Sequence, residues 1–312
     1  MHTISLTLRA AALAVAAAIV LGGAPIRGAD KRIVLIAGKP SHPPGMHEFR
    51  AGCLLFQKAL ASVPGVTVQV YDMGWPAKMV DGARVEDNSA FDNADAVLIY
   101  SDGGRGHPAI QGEHQKVLDG LAAKGVGLGF AHYGVEVPAG APGEAMHRWI
   151  GGFYEDRFSV NPMWKPVFDK LPSHPVTRGV KPFATHDEWY FNMRWPSDAA
   201  LKARVRPILV STPSDEVRKG PYVSPKGPYD HVVADSGKAE TMMWVSERPD
   251  GGRGFGFTGG HTHANWGDPN QRRILLNALL WIAKVDVPKQ GVEDSITPED
   301  LTKNLDEKPP RR

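Results

Sequence analysis

The chain of 312 residues contains one cysteine, Cys53, so it cannot close an internal disulfide. Cys53 falls among Leu54, Leu55 and Phe56 on a segment of helical apolar period, and reads as a buried thiol rather than a nucleophile. A net charge of +2 shows no basic excess, and no Lys/Arg stripe interleaves with aromatic residues, which argues against a nucleic-acid partner. The glycine-containing loops GKPSH and SDGGRGH match neither a P-loop nor a GxGxxG fingerprint with a helix directly after, so nucleotide binding is not expected. The zinc-enzyme spacing HExxH is missing too.

No apolar run is comfortably long enough for a membrane span. The apolar run at residues 10–21 follows Arg9 and precedes Gly22, Gly23 and Ala24, the pattern of a secretory signal peptide cleaved near Ala24 or Ala29. An uncleaved N-terminal anchor is the alternative. Export to the periplasm or beyond fits the lone cysteine, because an oxidising compartment discourages surplus thiols. With 42% apolar and 22% charged residues, the remainder is ordinary globular material.

Residues 32–37 form a continuous β-branched run, as expected of a strand buried on both faces. A helix is expected near residues 46–62, strands at 66–71 and 94–100, a helix near 110–124 and a strand at 126–131. Alternating strands and helices imply a parallel, doubly wound sheet, and each strand empties into a loop rich in Gly, His or Asp. Further strands are expected at residues 205–212, 240–246 and 254–260. The stretch KGPYVSPKGPYDH between the first two of these reads as a loop or an arm.

Three junctions carry candidate chemistry. Residues 126–131 run straight into His132 and Tyr133, with Gly127, Gly129, Ala131 and Gly134 around them, which suits a tight strand-to-helix elbow. A satisfied core histidine fits the same pattern. The segment THDEWYFNM sets Asp187 and Glu188 beside Trp189 and Tyr190, where aromatic faces and carboxylate acceptors suit a sugar ring. Neighbouring residues of an extended segment point to opposite faces, so at most one of the two acids easily faces a common pocket. A polar turn with a structural salt bridge fits equally. The third junction delivers His261, His263 and Trp266 ahead of a helix that Asp268 can cap, with Pro269 at its first position and Gln271 closing a capping box.

The elbow at His132, HPVTRG from His174, DEWY from Asp187 and GGHTHANWGDP running into RRILLNALLWIAK together resemble the ThuA-like (trehalose utilisation) family, similar in fold to the class I glutamine amidotransferases. The resemblance implies a flavodoxin-like three-layer α/β/α sandwich with a mostly parallel doubly wound sheet over residues 30–285, after a signal peptide and short linker (1–29) and before a polar tail (286–312). It also implies that His132 takes the amidotransferase cysteine position and that His261 lies near the amidotransferase histidine. A thiolate is needed for glutamine hydrolysis by that route, so glutaminase activity is not expected. The resemblance further implies catabolism of trehalose or a related disaccharide, as a 3-keto derivative made by an upstream sugar dehydrogenase. A 3-keto group acidifies the neighbouring C–H. Its removal by His132, His261 or Glu188 as an acid/base set leads to isomerisation or expulsion of the glycosidic oxygen.

His42, Asp102, Arg105, Tyr133, Asp187, Tyr190 and Trp266 are the expected substrate-binding residues. His261, His263 and His42 are the candidate ligands for a divalent metal such as zinc. A non-catalytic sugar-binding or scaffold module on the same fold is the other reading. In the tail, Thr297 is placed to cap a short helix at Pro298 that docks on the domain or a partner, and the ending EKPPRR reads as disordered.

Overall fold

The computed structural model describes residues 30–308, so the signal-peptide reading and residues 309–312 lie outside the described residues. Strand β1 (Lys31–Ala37) sends Ile33 and Leu35 into one apolar cluster and Val34 and Ile36 into another. Alternating side chains of one strand thus feed two cores, which is why the run is apolar throughout. Helix α1 (Phe49–Leu60) follows, then β2 (Val66–Tyr71), the hairpin β3 (Ala77–Val80) and β4 (Ala83–Glu86), and β5 (Ala96–Tyr100). Next come α2 (His114–Ala123), β6 (Gly127–Ala131) and α3 (Ala141–Trp149).

A less regular segment pairs two short strands, β7 (Met163–Trp164) and β8 (Asp187–Glu188), antiparallel. The chain then passes α4 (Ala199–Lys202), β9 (Val205–Ser211), α5 (Asp215–Lys219), α6 (Asp230–Val233), β10 (Glu240–Glu247), β11 (Arg253–Phe257) and α7 (Pro269–Ile282). The main sheet runs β2-β1-β5-β6-β11-β10-β9. Its first five strands are parallel, while β10 pairs antiparallel with both β11 and β9. Phe56 of α1 and Leu279 of α7 belong to one core, and Leu118 of α2 and Met146 of α3 to the other. The result is a three-layer α/β/α sandwich, flavodoxin-like in its parallel strand order.

Register decides where the site falls. Ala37 pairs with Tyr100, Tyr100 with Ala131, and Ala131 with Phe257, so β1, β5, β6 and β11 end flush. Their four following loops start from one edge, the carboxyl edge, where such sheets bind ligands.

Several local expectations change. The β3–β4 hairpin is not foreshadowed in the sequence, since its residues are almost all exposed and show no buried face. Helix α2 begins at His114, because Pro108–Ile110 forms a separate 3-10 turn capped by His107. At α7 Asp268 does cap, accepting from the backbone of Asn270 and Gln271. Gln271 closes no capping box; its side chain accepts from the Thr185 hydroxyl at 2.6 Å. The tail docks on the domain, with Thr297 and Asp300 forming a capping box and Asp300 meeting Lys58 at 2.5 Å. Part of the ending expected to be disordered is tightly held. The Lys308 ammonium, buried against Glu48 at 3.1 Å, also donates to the Met46 and His47 carbonyls.

Candidate functional site

The elbow after β6 is real in its backbone. His132 has φ 52°, and Gly134 two residues on has no room for a side chain, since a Cβ there would stand 2.9 Å from the Ile99 carbonyl oxygen. His47 (φ 50°) and His42 (φ 60°), on the loop after β1, are likewise left-handed. Such backbone is uncommon outside glycine and concentrates at functional sites.

Three of these loops bring histidines into contact. His47 Nε2 lies 2.9 Å from His261 Nδ1 and 3.0 Å from His132 Nε2, and the last two rings approach to 3.3 Å. Glu188 joins from β8, its Oε2 2.8 Å from His261 Nδ1. Tautomers follow from the outer partners. His132 Nδ1–H donates to the Thr258 carbonyl at 3.1 Å, and His47 Nδ1–H donates to Asp102 at 2.7 Å. Both Nε2 atoms therefore present lone pairs.

The centre is rich in acceptors and poor in protons. His261 Nδ1 faces His47 Nε2, His132 Nε2 and Glu188 Oε2 together, and the Tyr190 hydroxyl, 3.3 Å from His132 Nε2, is the other donor in reach. Protonating a ring does not relieve this. Burial, then the neighbouring His42 and His261, hold His47 well below the usual imidazole range; burial, then His47 and His261, do the same to His132. Burial also raises the Glu188 carboxyl, with Asp187 adding to it, against the hydrogen bond and charge of His261.

This donor set fits a divalent cation. Imidazole nitrogens bonded to a tetrahedral ion at about 2.0–2.1 Å stand about 3.3 Å from one another. The contacts among the three rings here run from 2.9 to 3.3 Å, and all four donor atoms, Glu188 included, lie within 4.8 Å of one another. The Asp102–His47 pair has the form of the carboxylate–histidine partnership that orients metal ligands. Asn161 likewise orients Glu188, donating to Oε1 at 2.8 Å.

A cavity of about 550 Å³ opens over the cluster, lined by His42, His47, Arg105, Tyr133, Glu188 and Tyr190, among others. Arg105 is an exposed member of its wall, and Asp102 sits beside the cluster on His47.

Other expected residues lie elsewhere. Asp187 is wholly buried and turns to the backbone, accepting from Gly260 and Thr262 at 2.8 and 2.9 Å. It therefore shapes the loop that presents His261 and does not face a substrate. Trp266 is a core residue, its ring packed against those of Phe56 and Phe257, and it binds no ligand from there. His263 is buried with neither ring nitrogen partnered among the described residues. It stands outside the cluster, because β11 ends at Phe257 and the alternation that would align it with His261 stops there. His42 stacks on His47 at 3.5 Å between ring centroids, and its Nδ1 lies 3.8 Å from Asp102, so it flanks the centre. Sequence reasoning misses the central place of His47. Its signal is its position in the loop after the first parallel strand, but that loop also carries His42, and only the fold separates them.

A doubly wound α/β domain with a histidine at the strand-end elbow and a polar cavity over the carboxyl edge is the class these features define. Residues 59–282 match the sequence model of the family described as ThuA, trehalose utilisation, and the chain belongs to that family. Two solved structures of ThuA-like proteins resemble it. That from Bacteroides uniformis ATCC 8492 has 14% identity and a TM-score of 0.53, covering 82% of this chain and 92% of its own. That from Parabacteroides merdae ATCC 43184 has 15% identity and a TM-score of 0.52, covering 87% and 98%. At such identities the likeness speaks for the fold alone. No curated protein matches the chain.

Proposed function

We propose that this chain is a metal-assisted acid/base enzyme acting on an oxidised sugar, a 3-keto-glycoside or related keto-disaccharide supplied by a sugar dehydrogenase. The observation that carries the reading is the convergence of His47, His132, His261 and Glu188 beside a polar cavity that His47 and Glu188 line. His47, His132 and His261 would hold the ion. When bound, a divalent cation such as zinc supplies Lewis-acid polarisation of a carbonyl oxygen.

Glu188 handles the proton. Its carboxylate lines the cavity, beside the histidines and open to a substrate, and is placed to take the proton from the carbon beside the ketone and return it. Asn161 holds its Oε1, which fixes the direction in which Oε2 acts. The histidines are poor proton carriers, since burial and mutual repulsion keep His47 and His132 neutral. Glutaminase chemistry is not part of the proposal: Cys53 is fully buried on α1, and burial pushes its thiol far up. Export, drawn from residues 1–29, belongs to the same proposal.

The test is incubation of purified protein with 3-ketotrehalose and with unoxidised trehalose, following product release for wild type, His132→Ala and Glu188→Gln. Turnover of the keto sugar alone, lost in both variants, is expected. Binding without turnover of either sugar would contradict the enzyme reading and favour a sugar-binding module.

A further inference from the structure

The wall of the cavity beyond the histidines holds an acid that the reaction above does not use. Glu136 lies four residues past His132, half-buried, and lines the cavity with Tyr133. Glu155 on the same wall is paired with Arg194 at 2.6 Å. Nothing comparable among the described residues engages Glu136: the influences on its carboxyl are burial, then the charges of Asp156 and Glu188, with no hydrogen bond or cation among them.

Space is kept open in front of it. Residue 104 is a glycine with φ 64°, and a Cβ there would stand 3.4 Å from Glu136 Oε1 and 3.6 Å from the Tyr133 hydroxyl. Its absence leaves a notch bordered by a carboxyl and a phenol, both able to bond hydroxyl groups. At about 550 Å³ the cavity exceeds what a single sugar ring fills.

We propose that Glu136 and Tyr133 form a recognition subsite for the second ring of an unphosphorylated two-ring sugar, which deepens the functional reading above and rests on it for the first ring. Carboxyl oxygens accept from hydroxyls, and the phenol both donates and accepts, so a polyol is matched on both sides of the notch. Charge selects against anionic sugars. With Glu155 held by Arg194, the acids Glu136, Asp156 and Glu188 line the cavity against one arginine of the lining, Arg105. Burial, with the charges of Asp156 and Glu188, pushes the Glu136 carboxyl up to about 8, so at neutral pH it is a neutral acid that donates as well as accepts, and repulsion of a phosphate ester falls to Asp156 and Glu188.

Calorimetry with glucose, trehalose and trehalose 6-phosphate, on wild type, Glu136→Ala and the isosteric Glu136→Gln, tests the subsite. Loss of hydrogen bonds to two hydroxyls corresponds to about tenfold in affinity. Trehalose should bind wild type at least about tenfold more tightly than either glucose or the phosphate ester, on the same scale. Glu136→Ala should remove most of the advantage over glucose while leaving glucose binding unchanged, and Glu136→Gln, whose amide still donates and accepts, should remove only part of it. Equal binding of glucose and trehalose, equal binding of the phosphate ester, or an equal loss for one-ring and two-ring sugars in both variants would overturn the proposal. Failure of the functional reading is separate: it shows as no turnover of 3-ketotrehalose by wild type, whereas the ring preference is read in binding alone. No binding of any of the three sugars overturns the subsite and leaves the functional reading to the turnover assay.

Discussion

His47 Nε2 and His132 Nε2 stand 3.0 Å apart with both Nδ1 protons already donated outward, to Asp102 and to the Thr258 carbonyl. Two lone pairs at that separation repel unless a cation lies near them, and burial together with neighbouring rings opposes a proton taking that place. The relationship makes Asp102 a positioning residue, because it fixes the His47 tautomer.

Asp102→Ala should therefore weaken divalent-metal binding by about 10–100-fold, the usual effect of removing such an outer partner. Competition against a chromogenic chelator reads the affinity. Asp102 is partly exposed, so thermal stability should change little. An unchanged metal affinity would remove Asp102 from the site.

Acid should act through His107, behind the elbow. Its Nε2–H donates to the Gly134 carbonyl at 2.8 Å and its Nδ1 accepts from Ala109 N at 2.9 Å, and burial lowers its pKa to about 4. The unfolded imidazole binds a proton near pH 6.5, so this contribution is complete above that pH and is lost as pH falls toward about 4. The slope reaches about 1.4 kcal/mol per pH unit. Denaturation of wild type and His107→Gln between pH 7 and 4 should show the difference between them shrinking on acidification. A constant difference would mean that His107 binds protons equally in the folded and unfolded states.

Much of this architecture is legible in the sequence because its causes are local. The β-branched run of β1 and the small residues around His132 announce a doubly buried strand and an elbow whatever surrounds them. What pairs across the fold is not. His47 meets Asp102 across 55 residues and His261 across 214, and neither separation leaves a mark in either segment. Trp266 shows the converse: an aromatic residue at a strand-to-helix corner has the same spacing whether it faces a ligand or, as here, the core. Glu188 and Asp187 are told apart only by the backbone, which turns one to the cavity and the other to Gly260.

The tail supplies a stability prediction. Lys308 and Glu48 are both buried, at 2% and 1% exposure, and 3.1 Å apart. Lys308→Ala leaves the Glu48 charge buried and the Met46 and His47 carbonyls without their donor, and should cost about 3–5 kcal/mol, as for other broken buried pairs. Lys308→Met combined with Glu48→Gln should cost less than Lys308→Ala alone. Chemical denaturation measures both. A loss below about 1 kcal/mol for Lys308→Ala would place the pair in the class of exposed ion pairs.

The most direct measurement is the metal content of protein purified without a histidine tag, by elemental analysis, for wild type, His47→Ala and His132→Ala. About one equivalent of a divalent transition metal in wild type, falling below about a tenth in both variants, is the expected result for three imidazole ligands. Less than about a tenth of an equivalent in wild type, even after incubation with zinc, manganese, cobalt or nickel, would contradict the cation site on which the account rests.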